Sequence, residues 1–133
     1  SEMCIRDSNN HVLITGDVSF FYDSNALWNS YLKPNIKVIL INNSGGGIFN
    51  IIPGPANSPL RAKYFEATHE HSAEYLCKAF HLKYQKILNE KDLAKDLNEF
   101  LNHDNKSPSL LEIVTPRLTN ADILNDYFKY LTK

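Results

Sequence analysis

Apolar residues cluster in three short runs without strict alternation: Val12–Thr15, Lys37–Ile41 and Leu110–Val114. Such runs, rich in Val, Ile and Leu, suit strands of a parallel sheet covered on both faces. A fourth strand is predicted near Lys83–Ile87. Between the runs the apolar spacing turns helical. Asp23–Leu32 places Ala26, Leu27, Tyr31 and Leu32 together and stops before Pro34. His71–Phe80 does the same with Ala73, Leu76, Cys77 and Phe80, and Lys91–Leu101 with Leu93, Leu97, Phe100 and Leu101. Thr119–Leu131 carries Ile123, Leu124, Tyr127, Phe128 and Leu131, with Thr119 or Asn120 as the expected cap. Strands alternating with helices predict βαβ units. The fold class expected is therefore α/β, a parallel-sheet, Rossmann-like three-layer sandwich.

Two stretches break the pattern. Pro53–Ala67 contains Pro53, Gly54, Pro55 and Pro59 and reads as a long loop on the carboxyl side of the second strand. Open α/β sheets place ligands at that edge, and long loops in compact domains are often functional. The start, Ser1 to Ser8, reads Ser-Glu-Met-Cys-Ile-Arg-Asp-Ser, and a strong apolar strand comes almost at once after it. Residues 1–10 are expected to be a non-native or disordered leader, and residues 11–133 a domain truncated at its N-terminus.

Composition narrows the function classes. The chain has 133 residues, 43% hydrophobic and 22% charged, a soluble globular balance for one domain with a core. Basic and acidic residues number 14 and 15, for a net charge of −1, so nothing electrostatic points to nucleic acid or an anionic membrane. No apolar run approaches the ~18 residues of a membrane span, and no secretory signal pattern is present. Cys4 and Cys77 form no metal-binding spacing; reduced thiols and a cytoplasmic location are expected.

The candidate chemistry lies in two glycine turns. Of five glycines, Gly45, Gly46 and Gly47 are consecutive and Gly16 is a fourth. Both sites directly follow a predicted strand, so they emerge on one sheet edge if those strands are neighbours. Glycine permits close backbone approach, and turn amides suit an anionic phosphate. Asp17 offers a carboxylate and Asn43 an amide oxygen. A glycine of the second turn can add a carbonyl. Mg²⁺ takes near-octahedral oxygen coordination, with phosphates and water completing a few protein ligands. Such a site holds a diphosphate through the metal, which fits the lack of Lys or Arg in either motif. The turns are neither a Walker A loop nor a GxGxxG fingerprint. Each alone is ordinary turn chemistry. Together, with 23 residues between Val18 and Asn42, they leave room for a crossover helix and a return strand.

Gly-Asp, a crossover and Asn-Asn resemble the cofactor signature of thiamine diphosphate enzymes. Most members carry Gly-Asp-Gly; here Val18 stands third, with Ser19 next. Three stretches are more specific: Gly16-Asp17-Val18-Ser19-Phe20, Tyr22-Asp23-Ser24-Asn25-Ala26-Leu27, and Asn42-Asn43-Ser44-Gly45-Gly46-Gly47-Ile48-Phe49. With Phe65–His69, the Ser72–Phe80 stretch and Leu111–Arg117, they are similar to the 2-succinyl-5-enolpyruvyl-6-hydroxy-3-cyclohexene-1-carboxylate (SEPHCHC) synthase family of menaquinone biosynthesis. The resemblance spans about residues 11 to 131.

That resemblance implies a cofactor set of Gly16, Asp17, Val18, Ser19, Asn43, Gly45, Gly46 and Ile48 for thiamine diphosphate. It implies Asp17, the Asn43 side chain and the Gly45 carbonyl as ligands of Mg²⁺ or Mn²⁺. Ile48, Phe49 and Ile52 would form an apolar wall beside the substrate. The implied substrates are 2-oxoglutarate and isochorismate. The implied partner is the pyrimidine-binding domain of a second subunit in a homo-oligomer. The glutamate that activates the cofactor belongs to that other domain, so no catalytic residue is expected here, and the chain alone is expected to be inactive. Two readings compete: another thiamine diphosphate decarboxylase or carboligase of acetolactate synthase type, and a non-catalytic phosphate-binding module.

The remaining polar residues are expected to play ordinary structural parts. His69-Glu70-His71 reads as a solvated helix start, since i and i+2 histidines share no helical face. His81, His103, Arg61 and Lys63 read as surface residues. Cys77 reads as core, and the charges of 89–105 as a solvated helix face.

Overall fold

The computed structural model describes residues 11–132 except 53, 55, 56 and 105. The expected leader, 1–10, lies outside the described residues, as do Cys4 and part of the proline-rich loop. Four strands form one all-parallel sheet: β1 (His11–Gly16), β2 (Ile36–Asn42), β3 (Lys83–Ile87) and β4 (Ser109–Val114), in the spatial order β1-β2-β4-β3. Among the described residues five α-helices accompany them: α1 (Asp17–Tyr22), α2 (Arg61–Tyr64), α3 (Glu74–Ala79), α4 (Glu90–Asn102) and α5 (Asn120–Leu131).

The alternation of side chains along a strand sorts the core into two halves. Val38, Leu40 and Leu110 face one way and pack with Phe20, Ala73, Cys77 and Leu82. Ile39 and Leu111 face the other way and pack with Ile87 and Phe100 of α4. Helices thus cover both faces, giving the expected three layers. Lys37 is buried on β2 because its ammonium reaches the end of α4. Nζ donates to the Leu101 carbonyl at 2.6 Å and the His103 carbonyl at 2.9 Å, serving acceptors that a helix end leaves without an internal partner.

Two expected helix starts need correction, while the expected cap of the last helix holds. The helix after β1 begins at Asp17, not Asp23, and ends at Tyr22; only a 3-10 turn at Ser24–Leu27 comes after it. Short polar side chains break it. Ser24 Oγ donates to the Phe21 carbonyl, Asn29 Nδ2 to the Ala26 carbonyl, and the Tyr31 amide to Asn29 Oδ1. α3 starts at Glu74 rather than His71, since Ser72 Oγ accepts the Glu74 amide and the Ala73 amide turns to Glu112. Thr119 sits at the cap of α5 but makes no side-chain cap bond, and Asn120 donates instead to Thr115 Oγ1 at 3.0 Å.

β1 also departs from the buried strand its composition suggests. It lies at the sheet edge, and Val12, Leu13 and Ile14 are exposed, Ile14 at 67%. α5 likewise leaves Ile123, Tyr127, Phe128 and Leu131 exposed. The sheet order and register together place the two glycine turns. Gly16 pairs with Ile41 in the β1–β2 register, so Asp17 and Asn43 leave adjacent strands at one edge.

Candidate functional site

Asp17 joins the two turns. It is buried, at 2% exposure. Oδ1 accepts the Val18 amide at 2.7 Å, and Oδ2 accepts the Gly45 amide at 2.9 Å across the sheet edge. His69 Nε2 lies 3.2 Å from the same Oδ2. The His69 ring stacks on His71 at 5.3 Å and meets Phe21 edge-on. Its Nδ1 accepts the His71 amide, so a neutral ring carries its proton on Nε2. That nitrogen is close to Asp17 but not aligned for a hydrogen bond, and it is buried. The solvated helix start expected for His69 is therefore wrong: an aromatic contact draws the ring in, while His71 stays exposed.

The second turn needs its glycines in different ways. Ser44 sits at φ 63° and Gly45 at φ 148°. A Cβ on Gly45 would lie 2.8 Å from the Glu66 carbonyl oxygen, and one on Gly47 would lie 2.6 Å from Asn43 Nδ2. Gly46 donates its amide to that same Glu66 carbonyl. The Gly45 carbonyl accepts the Gly47 amide at 2.9 Å and keeps one lone-pair direction. Gly16 differs. Its backbone is extended, at φ −85° and ψ 163°, and a Cβ there would meet nothing within 4 Å. Neither its dihedrals nor its packing requires glycine at that position.

The turns open onto a cleft of about 480 Å³. Gly16, Asp17, Val18, Ser19, Asn43, Gly45, Gly46 and Ile48 all line it, and so does Phe49. Ile52 does not; Ile51 takes its place. The chain forms a 3-10 turn at Gly47–Asn50, in which residues three apart align, so Ile51 rather than Ile52 falls beneath Ile48. Sequence reasoning missed the far wall, Asn120, Ala121 and Leu124 at the start of α5. Their spacing is that of an ordinary core helix. Only the excess of apolar residues on α5 over what its neighbours bury hints at a further role.

Two buried glutamates hold the site from behind. Glu66, 2% exposed, lies between Arg61 Nε at 2.7 Å and Arg117 Nη1 at 2.8 Å. Arg61 is thus tied to the loop rather than solvated as expected, while Lys63 stays exposed. Glu112, fully buried, accepts Asn42 Nδ2 at 2.6 Å on Oε1, and Tyr84 OH at 2.6 Å and Ser72 Oγ at 2.8 Å on Oε2, with the Ala73 amide at 3.2 Å. Burial alone would raise its pKa, but these donors together hold it below the ordinary carboxylate value. Burial, then the bond to Glu112, pushes the Tyr84 hydroxyl upward. Burial, then the Glu112 charge, lifts the Cys77 thiol to about 12, so it stays protonated as core. His81 and His103 are exposed, as expected.

The donor set fits a hard cation and a diphosphate. Residues that carry three kinds of oxygen donor, Asp17, Asn43 and Gly45, line one cleft. Among the described residues no cluster of His, Cys, Asp and Glu suits a softer metal, and no helix is long and apolar enough to cross a membrane.

A parallel α/β sheet with paired oxygen-donor turns at its carboxyl edge defines a diphosphate-binding domain, and comparison with known proteins gives the family. Residues 3–113 match the family described as "Thiamine pyrophosphate enzyme, C-terminal TPP binding domain", and the chain belongs to it. Its curated relatives include the 2-succinyl-5-enolpyruvyl-6-hydroxy-3-cyclohexene-1-carboxylate synthase of Flavobacterium johnsoniae, 50% identical over 122 residues, which are 92% of this chain and 22% of that protein. The synthase of the same name from Christiangramia forsetii is 47% identical over 119 residues, 90% of this chain and 20% of that protein. The chain thus spans about a fifth of the length of these relatives. Among solved structures, the Rhodococcus jostii thiamine diphosphate-dependent 4-hydroxybenzoylformate decarboxylase aligns with a TM-score of 0.65 at 20% identity. It covers 85% of this chain and 21% of its own, a likeness of fold.

Two substitutions at the glycines separate fold from ligand. Gly45→Ala is expected to cost about 1–3 kcal/mol of stability, by forcing a side chain into a left-handed, crowded position. Gly16→Ala is expected to stay within ~0.5 kcal/mol. Chemical denaturation checks both, and an equal loss at Gly16 would contradict the open space beside it. Glu112 gives a pH signature. Its folded pKa is depressed, so its stabilising contribution is present above the ordinary value of 4.5 and is lost as pH falls through the lower folded value. The urea midpoint of the wild type should exceed that of Glu112→Gln at neutral pH, with the gap closing under acid. A gap that ignores pH would count against the assignment.

Proposed function

We propose that the chain is the cofactor-binding part of a SEPHCHC synthase, a cytoplasmic thiamine diphosphate-dependent carboligase. The whole enzyme would decarboxylate 2-oxoglutarate and add the product to isochorismate. The observation that carries this reading is the convergence of Asp17, Asn43 and Gly45 at one cleft, in a chain about half identical to synthases of that name.

Asp17, the Asn43 side chain and the Gly45 carbonyl would hold Mg²⁺ or Mn²⁺, and the metal would carry the diphosphate. Ser19 and its neighbouring amides would contact the phosphate oxygens directly, and Gly16 would let that group approach the backbone. Ile48, Phe49 and Ile51 would keep water from the reacting end. Thiamine diphosphate, when bound, supplies the electron sink for decarboxylation. Its activating glutamate would come from the pyrimidine-binding domain of a second subunit, and the basic residues that bind the substrate carboxylates would lie outside this chain. The residues described here therefore bind and orient the cofactor.

Calorimetry on the whole enzyme tests this. Mg²⁺-dependent binding of thiamine diphosphate should vanish in Asp17→Ala and in Asn43→Ala, with 2-oxoglutarate consumed in preference to pyruvate by the wild type. Equal binding of ATP, or binding that ignores Mg²⁺, would refute the reading.

A further inference from the structure

We propose that Glu112 is a positioning residue for the cation: acting through Asn42, it fixes the strained turn that presents Asn43 and Gly45. The proposal rests on the reading of that turn as a cofactor site.

Glu112 is the one charged residue of β4, flanked by Leu110, Leu111, Ile113 and Val114. It faces the Leu40 and Leu110 side of the sheet, where an apolar residue would pack. Burying a carboxylate there is costly unless every lone pair is engaged. Its four partners are all neutral donors, drawn from the end of β2, from β3 and from the approach to α3. Such a group contributes to geometry more than to cohesion.

The link to the site runs through Asn42. Its Nδ2 donates to Glu112 and to the His71 carbonyl at 2.9 Å, which orients the amide. Its Oδ1 is then turned to accept the Ser44 amide at 3.0 Å. Ser44 is the non-glycine residue of the turn in a left-handed conformation, and it stands between Asn43 and Gly45. A strained residue persists only where its surroundings over-determine it. Without the Glu112 acceptor the Asn42 amide keeps only the His71 carbonyl on Nδ2, and its hold on Ser44 is weakened. Glu112 itself lies beyond the cleft lining, so its influence is on where the donors stand.

Glutamine replaces it poorly. An NH₂ group turned to Asn42 Nδ2 sets donor against donor, and one turned the other way meets the donor-only Ala73 amide and makes the Ser72 and Tyr84 hydroxyls accept instead of donate.

The test is the affinity of the whole enzyme for Mn²⁺ in the presence of thiamine diphosphate, read by electron paramagnetic resonance. Glu112→Gln and Asn42→Ala are each expected to weaken it about 10–100-fold, the range for residues behind a metal ligand. Leu110→Ala, a buried neighbour on the same strand that has no polar link to the turn, serves as a destabilised control and should shift affinity less than ~3-fold, well short of that range. Should Glu112→Gln fail to fold, Asn42→Ala carries the test, since it spares the other three bonds to Glu112. Wild-type affinity in the polar variants, or an equal loss in Leu110→Ala, overturns the proposal. A wild type that shows no cofactor-dependent Mn²⁺ binding removes the functional reading itself, and this inference with it.

Discussion

The structure depends on one buried carboxylate bridging two strand ends. Asp17 begins a helix at the end of β1, and its Oδ2 holds the Gly45 amide beyond the end of β2. A parallel pair of strands brings these positions side by side, because both chains run out of the sheet at the same edge. Without the bridge the second turn would lose its tie to β1 and one of the three bonds that select its shape. With it, a carboxylate, an amide oxygen and a carbonyl share one cleft.

That shape is held against its own preferences. Ser44 and Gly45 both have positive φ, and the alternatives to this turn are less strained. Bonds from three directions oppose relaxation: Asp17 takes the Gly45 amide, the Glu66 carbonyl takes the Gly46 amide, and Asn42 takes the Ser44 amide. Each anchor is fixed in turn, Glu66 by Arg61 and Arg117, and Asn42 by Glu112. The site is therefore a product of the domain's interior. The cation and diphosphate would meet a turn already formed, which lowers the ordering cost of binding them.

β2 and β4 were legible because burial on both faces leaves unbroken apolar runs, and they fall within one residue of their expected bounds. Asp17 and Asn43 were legible because turn glycines and oxygen donors recur together in sequence. α1 was not, since its six residues span fewer than two helical turns and bury only Phe20 among their apolar side chains. His69 was misread because its burial comes from Phe21, far away in the chain. Glu66 and Glu112 look like any other acidic residue until the fold supplies Arg117, 51 residues on from Glu66, and Asn42, 70 residues before Glu112. Side chains that act at long range carry no local signature. The exposed apolar faces of β1 and α5 are the converse case: the sequence pattern says core, and the described residues leave them open.

Amide hydrogen exchange at Gly45 in the ligand-free protein tests the preformed turn most directly. With its N–H held by buried Asp17 Oδ2, Gly45 should exchange on the order of 100-fold or more slowly than an unstructured peptide, before any metal or cofactor is added. Exchange at the unstructured rate, slowing only when ligand arrives, would contradict the account, because the turn would then be made by the ligand and not by the fold.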